Sequence, residues 1–180
     1  MPPLPIPPHL AELVVRQSRV AIAITDADRR IIYVNPAFTR VTGYPPNRVL
    51  GRNPRVLKSG VHDADFYDAM WKSINETGTW EGEITNRRRD GSLYSEWLAI
   101  VAMHDERGAV THYFSMFNDI SERKRYEERQ AHLAMYDALT ELPNRFLFDE
   151  HLRTAIQMAY RRNGTLAVLF LDLDGFKSIN

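Results

Sequence analysis

Two carboxylates, Asp172 and Asp174, follow the apolar run 166–171 in the stretch FLDLDGFKSIN. Their oxygens are of the hard type that divalent cations take. Two aspartates alone do not define a metal site, and by themselves they read as a polar strand end with an N-cap for the next helix. Cysteine is absent, which excludes thiolate metal sites, disulfides and cysteine nucleophiles, and is compatible with a reducing, cytoplasmic setting.

The elements that must position these groups are legible from periodicity. The start, MPPLPIPPHL, holds five prolines and no basic, apolar signal pattern, so an extended leader is expected, running into a short helix with Leu10, Leu13 and Val14 on one face. The β-branched runs 20–25 and 31–34 flank a polar turn, and Asn35-Pro36 starts a helix that ends near Gly43. Short helical turns are expected over 45–60. A longer helix follows, with Phe66, Met70 and Ile74 on one face, Trp71 beside them and Gly78 as its stop. Three strands, 79–88, 92–103 and 110–119, are separated by the turns RRDGS and HDERGA. The fold class expected is α+β: a five-stranded antiparallel sheet with helices on one face.

From Ser121 the chain becomes charged. Ser121 can cap a connector helix in which Tyr126 and Leu133 stand one heptad apart, leaving open a solvated helix or a helical dimer seam. Pro143 interrupts it. A second helix over 145–162, with Leu152, Ile156 and Ala159 on one stripe, leads to a strand at 166–171, as an α/β unit begins. That strand has no later partners in the sequence and is expected to be an exposed apolar edge.

Bulk composition limits the partners. The chain has 180 residues, 44% of them apolar, and 23 basic against 23 acidic side chains. Zero formal charge argues against nucleic-acid capture. No apolar run reaches the ~20 residues of a membrane-spanning helix.

The pieces AIAITDADRRIIYVNPAFTRVTGY, GTWEGEITNRRRDGSLYSEW and NDISERK, in that order, resemble a PAS sensory domain over 14–122. The resemblance implies a sensor of a small molecule, redox state or light, or a pairing module. The segment NPRVLK is similar to the NCRFLQ of the flavin photosensors, but Pro54 stands at the reactive cysteine, so covalent photochemistry is excluded. Asn86 matches an asparagine that bonds the flavin ring. Glu96 replaces a second asparagine and Phe117 a glutamine. Redox-sensing PAS domains that hold FAD noncovalently resemble 53–60 and 80–97. That likeness implies Asn53, Arg55, Lys58, Trp80, Asn86, Glu96 and Trp97 as cofactor residues, with Arg55 and Lys58 toward phosphate. Plain alternatives are core edges for the tryptophans, a turn donor for Asn86 and an ion pair for Arg55. FAD and an empty pairing module both stay open. Haem has less support, because His62, His104 and His112 come without a second recognisable ligand. Asp119 and Ser121 match the terminal PAS junction to a signalling helix, and a homodimer through the PAS domain and that helix is expected.

The stretches YDALTELPNRFLFDEHL and AVLFLDLDGFKSIN resemble the start of a GGDEF diguanylate cyclase domain. The resemblance implies Asp172 and the Leu173 backbone carbonyl as Mg2+ ligands, the amides of Gly175, Phe176 and Lys177 on GTP phosphates, and Asn180 on guanine. The GGDEF hairpin does not occur in this sequence, so these residues are expected to be inactive alone and catalytic, with bound GTP, in a longer parent that makes cyclic di-GMP. The domain plan is a leader and helix start at 1–13, a PAS domain at 14–122, a connector at 123–135 and a partial GGDEF domain at 136–180.

Overall fold

A computed structural model describes residues 7–171, and the chain divides into two compact units between Lys124 and Arg125. The first holds α1 (Pro8–Gln17), β1 (Ala21–Asp26), β2 (Ile31–Val34), α2 (Pro36–Thr42), α3 (Ala64–Thr77), β3 (Thr79–Arg87), β4 (Leu93–His104) and β5 (Val110–Asp119). Two single 3-10 turns, Pro46–Arg48 and Pro54–Leu57, occupy the stretch where short turns were expected. Every pairing is antiparallel and the spatial order is β2-β1-β5-β4-β3. The first and last sequential strands therefore pair with each other: β5 returns to the centre, between β1 and β4.

Local chemistry sets the boundaries. Asp63 caps α3 by accepting from the Phe66 N–H at 3.0 Å, and Gly78 ends it at φ 78°, the left-handed conformation that glycine adopts without a Cβ penalty. Asp90 holds the β3–β4 turn by accepting from the Ser92 N–H at 2.9 Å, and Asp105 does the same for Arg107 and Ala109 in the β4–β5 turn.

Asn35 does more than cap. Its Oδ1 accepts from the N–H groups of Phe38 (3.0 Å) and Ile22 (2.9 Å), while its Nδ2 donates to the carbonyls of Val15 (3.1 Å) and Val20 (2.9 Å). One buried amide thus joins α1, β1 and α2, with both its oxygen and its nitrogen doubly used.

The core lies between the inner face of the sheet and the helices. It contains Ile31, Phe38, Val49, Met70, Ile74, Ile84, Leu98, Ile100, Tyr113 and Phe117, with Phe38 and Phe117 edge to face at 5.8 Å. Period-two alternation is clear in β4: Tyr94, Glu96, Leu98, Ile100 and Ala102 are buried, while Leu93, Trp97, Val101 and Met103 are exposed on the other face.

α4 (Ser121–Met135) begins in the first unit and continues into the second, where α5 (Arg145–Arg161) follows. Neither helix buries a residue, and Tyr126 and Leu133 on α4 are exposed. Between them the Asp137 carboxylate accepts from the N–H groups of Leu139 and Thr140 and from the Thr140 hydroxyl. Asn144 caps α5 and donates to the Ala134 carbonyl at 2.9 Å. Two sequence expectations are corrected here. Ile156 is exposed, and the more covered stripe of α5 is Leu152, Ala155 and Ala159. Residues 166–171 are not a strand, because a ladder needs a partner and none pairs with them among the described residues.

Candidate functional site

A cavity of about 380 Å³ lies between the inner face of the sheet and the helical layer. Its apolar wall comes from Ile31, Phe38, Leu57, Met70, Leu98 and Ile100. Polar side chains enter from four directions: Asn53, Arg55 and Lys58 from the turn before α3, Tyr67 and Trp71 from α3, Asn86 and Glu96 from β3 and β4, and Arg29 from the β1–β2 turn. A few directed polar groups in an apolar concavity are the usual make-up of a small-molecule site.

Asn86 and Glu96 form its polar wall. Register sets Ile84 opposite Glu96 and Asn86 opposite Tyr94, so both functional side chains share the inner face. Asn86 Nδ2 donates to Glu96 Oε1 at 3.0 Å. Glu96 is 1% exposed; its Oε2 and the neighbouring buried hydroxyl of Tyr94 both lack a partner in full hydrogen-bond geometry among the described residues. Burial pushes the carboxyl pKa up to about 7, against the pull of the Tyr94 hydroxyl and the Asn86 amide. The buried hydroxyl of Tyr67, on the same cavity, also lacks a partner, and burial raises its pKa. Such orphaned atoms are costly unless something polar meets them. The Glu96 carboxyl and Asn86 amide can pair with an edge that alternates donor and acceptor, as a flavin pyrimidine edge does. The residues present therefore fit that group.

Five of the seven residues inferred for a cofactor line this cavity: Asn53, Arg55, Lys58, Asn86 and Glu96. The two tryptophans do not. Trp97 is 44% exposed on the outer face, since it alternates with the inward Glu96 and Leu98. Trp80 is on the inner face but lies over Gly82, where a Cβ would come within 2.9 Å of its ring, and meets Phe66 edge to face at 6.0 Å. The aromatic wall is instead Tyr67 and Trp71 of α3; helical spacing placed Trp71 only beside the core face and did not single out Tyr67. Arg29 was missed as well. It sits at φ 62°, in a left-handed conformation rare for a non-glycine residue, and a turn of this kind gives no sequence signal of which way the side chain goes. Phe117 and Leu57 contribute apolar lining. Of the histidines, His62 accepts the Thr85 N–H on Nε2 at 2.8 Å and stacks on Phe66, which makes it a substitute partner for strand β3. His104 is exposed and His112 lies on β5.

The cavity and the root of α4 share one strand segment. Ser95, between Tyr94 and Glu96, accepts from the Ile120 N–H at 2.8 Å and donates its own N–H to the Ser121 hydroxyl at 2.9 Å. The Asp119 carboxylate accepts from the Ser121 N–H at 2.9 Å and pairs with Arg88 at 2.6 Å. Burial works to raise the Asp119 pKa, but the hydrogen bonds from Arg88 and Ser121 outweigh it and hold the carboxyl below its usual range. Arg88 also donates to the Val41 carbonyl, and its guanidinium lies 4.3 Å over the ring of Tyr94. Lys124, in the first turn of α4, pairs with Glu83 on β3.

The residues inferred for metal and nucleotide, Asp172, Leu173, Gly175, Phe176, Lys177 and Asn180, lie outside the described residues.

Comparison with known proteins agrees with these two units. The family model described as PAS domain matches residues 19–122, and that of the diguanylate cyclase GGDEF domain matches 134–180. A nitrogen fixation regulatory protein of Klebsiella oxytoca is 38% identical over 133 residues, 73% of this chain and 27% of that protein. The bifunctional diguanylate cyclase/cyclic di-GMP phosphodiesterase MucR of Pseudomonas aeruginosa is 58% identical over 48 residues, 27% of this chain and 7% of its own length. The chain thus spans about a quarter or less of either relative. A solved light-oxygen-voltage domain studied with a flavin analogue is similar in fold, with TM-score 0.57 and 26% identity, over 68% of this chain and 94% of that one. Among the described residues no helix is long and apolar enough to cross a membrane.

Proposed function

Because the chain belongs to the PAS domain family and carries a GGDEF segment behind it, we propose that it is the sensory part of a cyclic di-GMP signalling protein, with FAD as the ligand of the PAS cavity. The observation that carries this reading is Glu96: a buried carboxyl in the cavity with one oxygen unmet, one residue away from the Ser95 backbone that holds α4. FAD would supply a redox-dependent protonation state. Glu96 and Asn86 orient the polar edge of the ring, the apolar wall excludes water, and Arg55 and Lys58 meet phosphate. A shift of β4 at Glu96 moves Ser95, and with it Ile120 and Ser121. The connector helix then repositions paired GGDEF domains, which bind GTP and Mg2+ in the longer protein. Expected domain limits are 14–122 for the sensor, 123–135 for the connector and 136–180 for the partial cyclase.

Pairing has its own support. Trp97, Val101, Met103 and Met116 are exposed together on the outer face of the central strands, an apolar patch that a second copy of this chain would cover. A pairing module without ligand is the second reading. The absorption spectrum of the purified chain, with FAD added back after purification, separates the two. Flavin bands that stay with the protein through gel filtration are expected, and a colourless protein that ignores added FAD would leave only the pairing role.

A further inference from the structure

Three cations line the cavity: Arg29, Arg55 and Lys58. Among the described residues none of them forms an ion pair with a carboxylate. Two are instead held on rings of α3. Lys58 Nζ lies 4.2 Å from the centroid of Tyr67, and Arg29 Cζ lies 3.7 Å from that of Trp71. Tyr67 and Trp71 are four residues apart on one helix, so their Cβ atoms stand about 5–6 Å apart on the same face. The hydroxyl of Tyr67, buried and without a partner, adds an unused donor beside them. Arg29 sits at φ 62° in the β1–β2 turn, where its N–H is donated to the Asp26 carbonyl at 3.0 Å.

We propose that Tyr67 and Trp71 with their two cations form a diphosphate-binding edge of the cavity, and that Arg29 is the residue that makes the site prefer a dinucleotide flavin over mono- or unphosphorylated ones. The inference rests on the flavin reading above. Lys58 and Arg55 answer one phosphate, and Arg29, one helical turn further, answers the second. A ring-stacked guanidinium keeps its in-plane N–H groups available for phosphate oxygens, which is why stacking and anion binding coexist on one arginine.

The test is the affinity of the whole chain for FAD, FMN and riboflavin, read by quenching of flavin fluorescence in wild type and in Arg29→Asn. Asparagine tolerates the left-handed backbone, so the turn is kept, and thermal unfolding checks that it is. Expected is a loss of FAD affinity of roughly tenfold or more, with riboflavin affinity unchanged. Arg29→Lys should restore part of it. Equal loss for FAD and riboflavin, or no loss for FAD, overturns the assignment while flavin binding itself stands. Wild type that binds riboflavin as tightly as FAD overturns it too. If none of the three binds, the flavin reading falls and this inference falls with it.

Discussion

Ser95 donates its backbone N–H to the hydroxyl of Ser121 at 2.9 Å, so the strand that carries the cavity's carboxyl also holds the first residue of α4. Neighbouring side chains on a strand point to opposite faces, yet their peptide units move together. A ligand that shifts the backbone at Glu96 would therefore move Ser95 with it. The helix root is tied to the sensor by that bond, by Ile120 N–H on the Ser95 carbonyl, and by the Asp119–Arg88 pair.

Removal of that pair should loosen the root without unfolding the sheet. Both side chains are partly exposed, at 23% and 29%, so the loss in stability for Asp119→Asn, which keeps an acceptor for the Ser121 N–H, is expected to be about 1 kcal/mol after screening. Hydrogen exchange should report it locally: amides of Ser121 to Lys124 exchange faster, while those of β4 and β5 keep their protection. Unchanged protection at the helix root would show that the Ser95 bonds and the Lys124–Glu83 pair hold it without Asp119–Arg88.

Glu96 gives the fold a pH dependence. Its pKa is about 7 folded against 4.5 for an ordinary glutamate, so between those values the folded state binds more protons than the unfolded one. Stability from this group is full below pH 4.5 and falls as pH rises to about 7, by at most about 3 kcal/mol, and is level above. Glu96→Gln keeps an acceptor for Asn86 and removes the charge. Urea titrations should find the variant more stable than wild type at pH 8 and similar at pH 4.5. Equal pH profiles for the two proteins would exclude a protonated Glu96.

Asn35→Ala should be the most damaging single polar change in the sensor unit. It removes four hydrogen bonds, leaving the Ile22 and Phe38 N–H groups and the Val15 carbonyl without that partner, while the Val20 carbonyl keeps the Ser18 hydroxyl. A loss of about 2–4 kcal/mol is expected in denaturant unfolding. Asn35→Asp keeps the acceptor for Ile22 and Phe38 but not the donor, and should fall in between.

Trp97→Glu separates the two faces of the sheet. The side chain is exposed opposite the cavity, so flavin affinity should stay as in wild type, while the weight-average mass in sedimentation equilibrium should drop toward the monomer. A variant that stays dimeric would move the pairing surface elsewhere.

Much of this protein could be read in the sequence because the determinants are local. Strand-forming runs and turn signals marked all five strands to within a residue or two, and Asn35-Pro36, Gly43 and Gly78 marked helix ends by capping chemistry that acts within four residues. Family likeness supplied Asn86 and Glu96, and period two then put both on one face. What the sequence left undecided needed contacts between distant residues. Only the closed fold set Trp80 against Phe66 of α3 and turned Trp97 outward, because the sheet face that is covered depends on where the helices pack. Only the fold brought Arg29 from one turn to Trp71 on a helix more than forty residues later, and set Ser95 beside Ser121, since the placement of β5 between β1 and β4 is a matter of packing rather than of local preference. Residues 166–171 show the same limit from the other side: their apolar run has the composition of a strand, but a strand exists only where a partner accepts its hydrogen bonds.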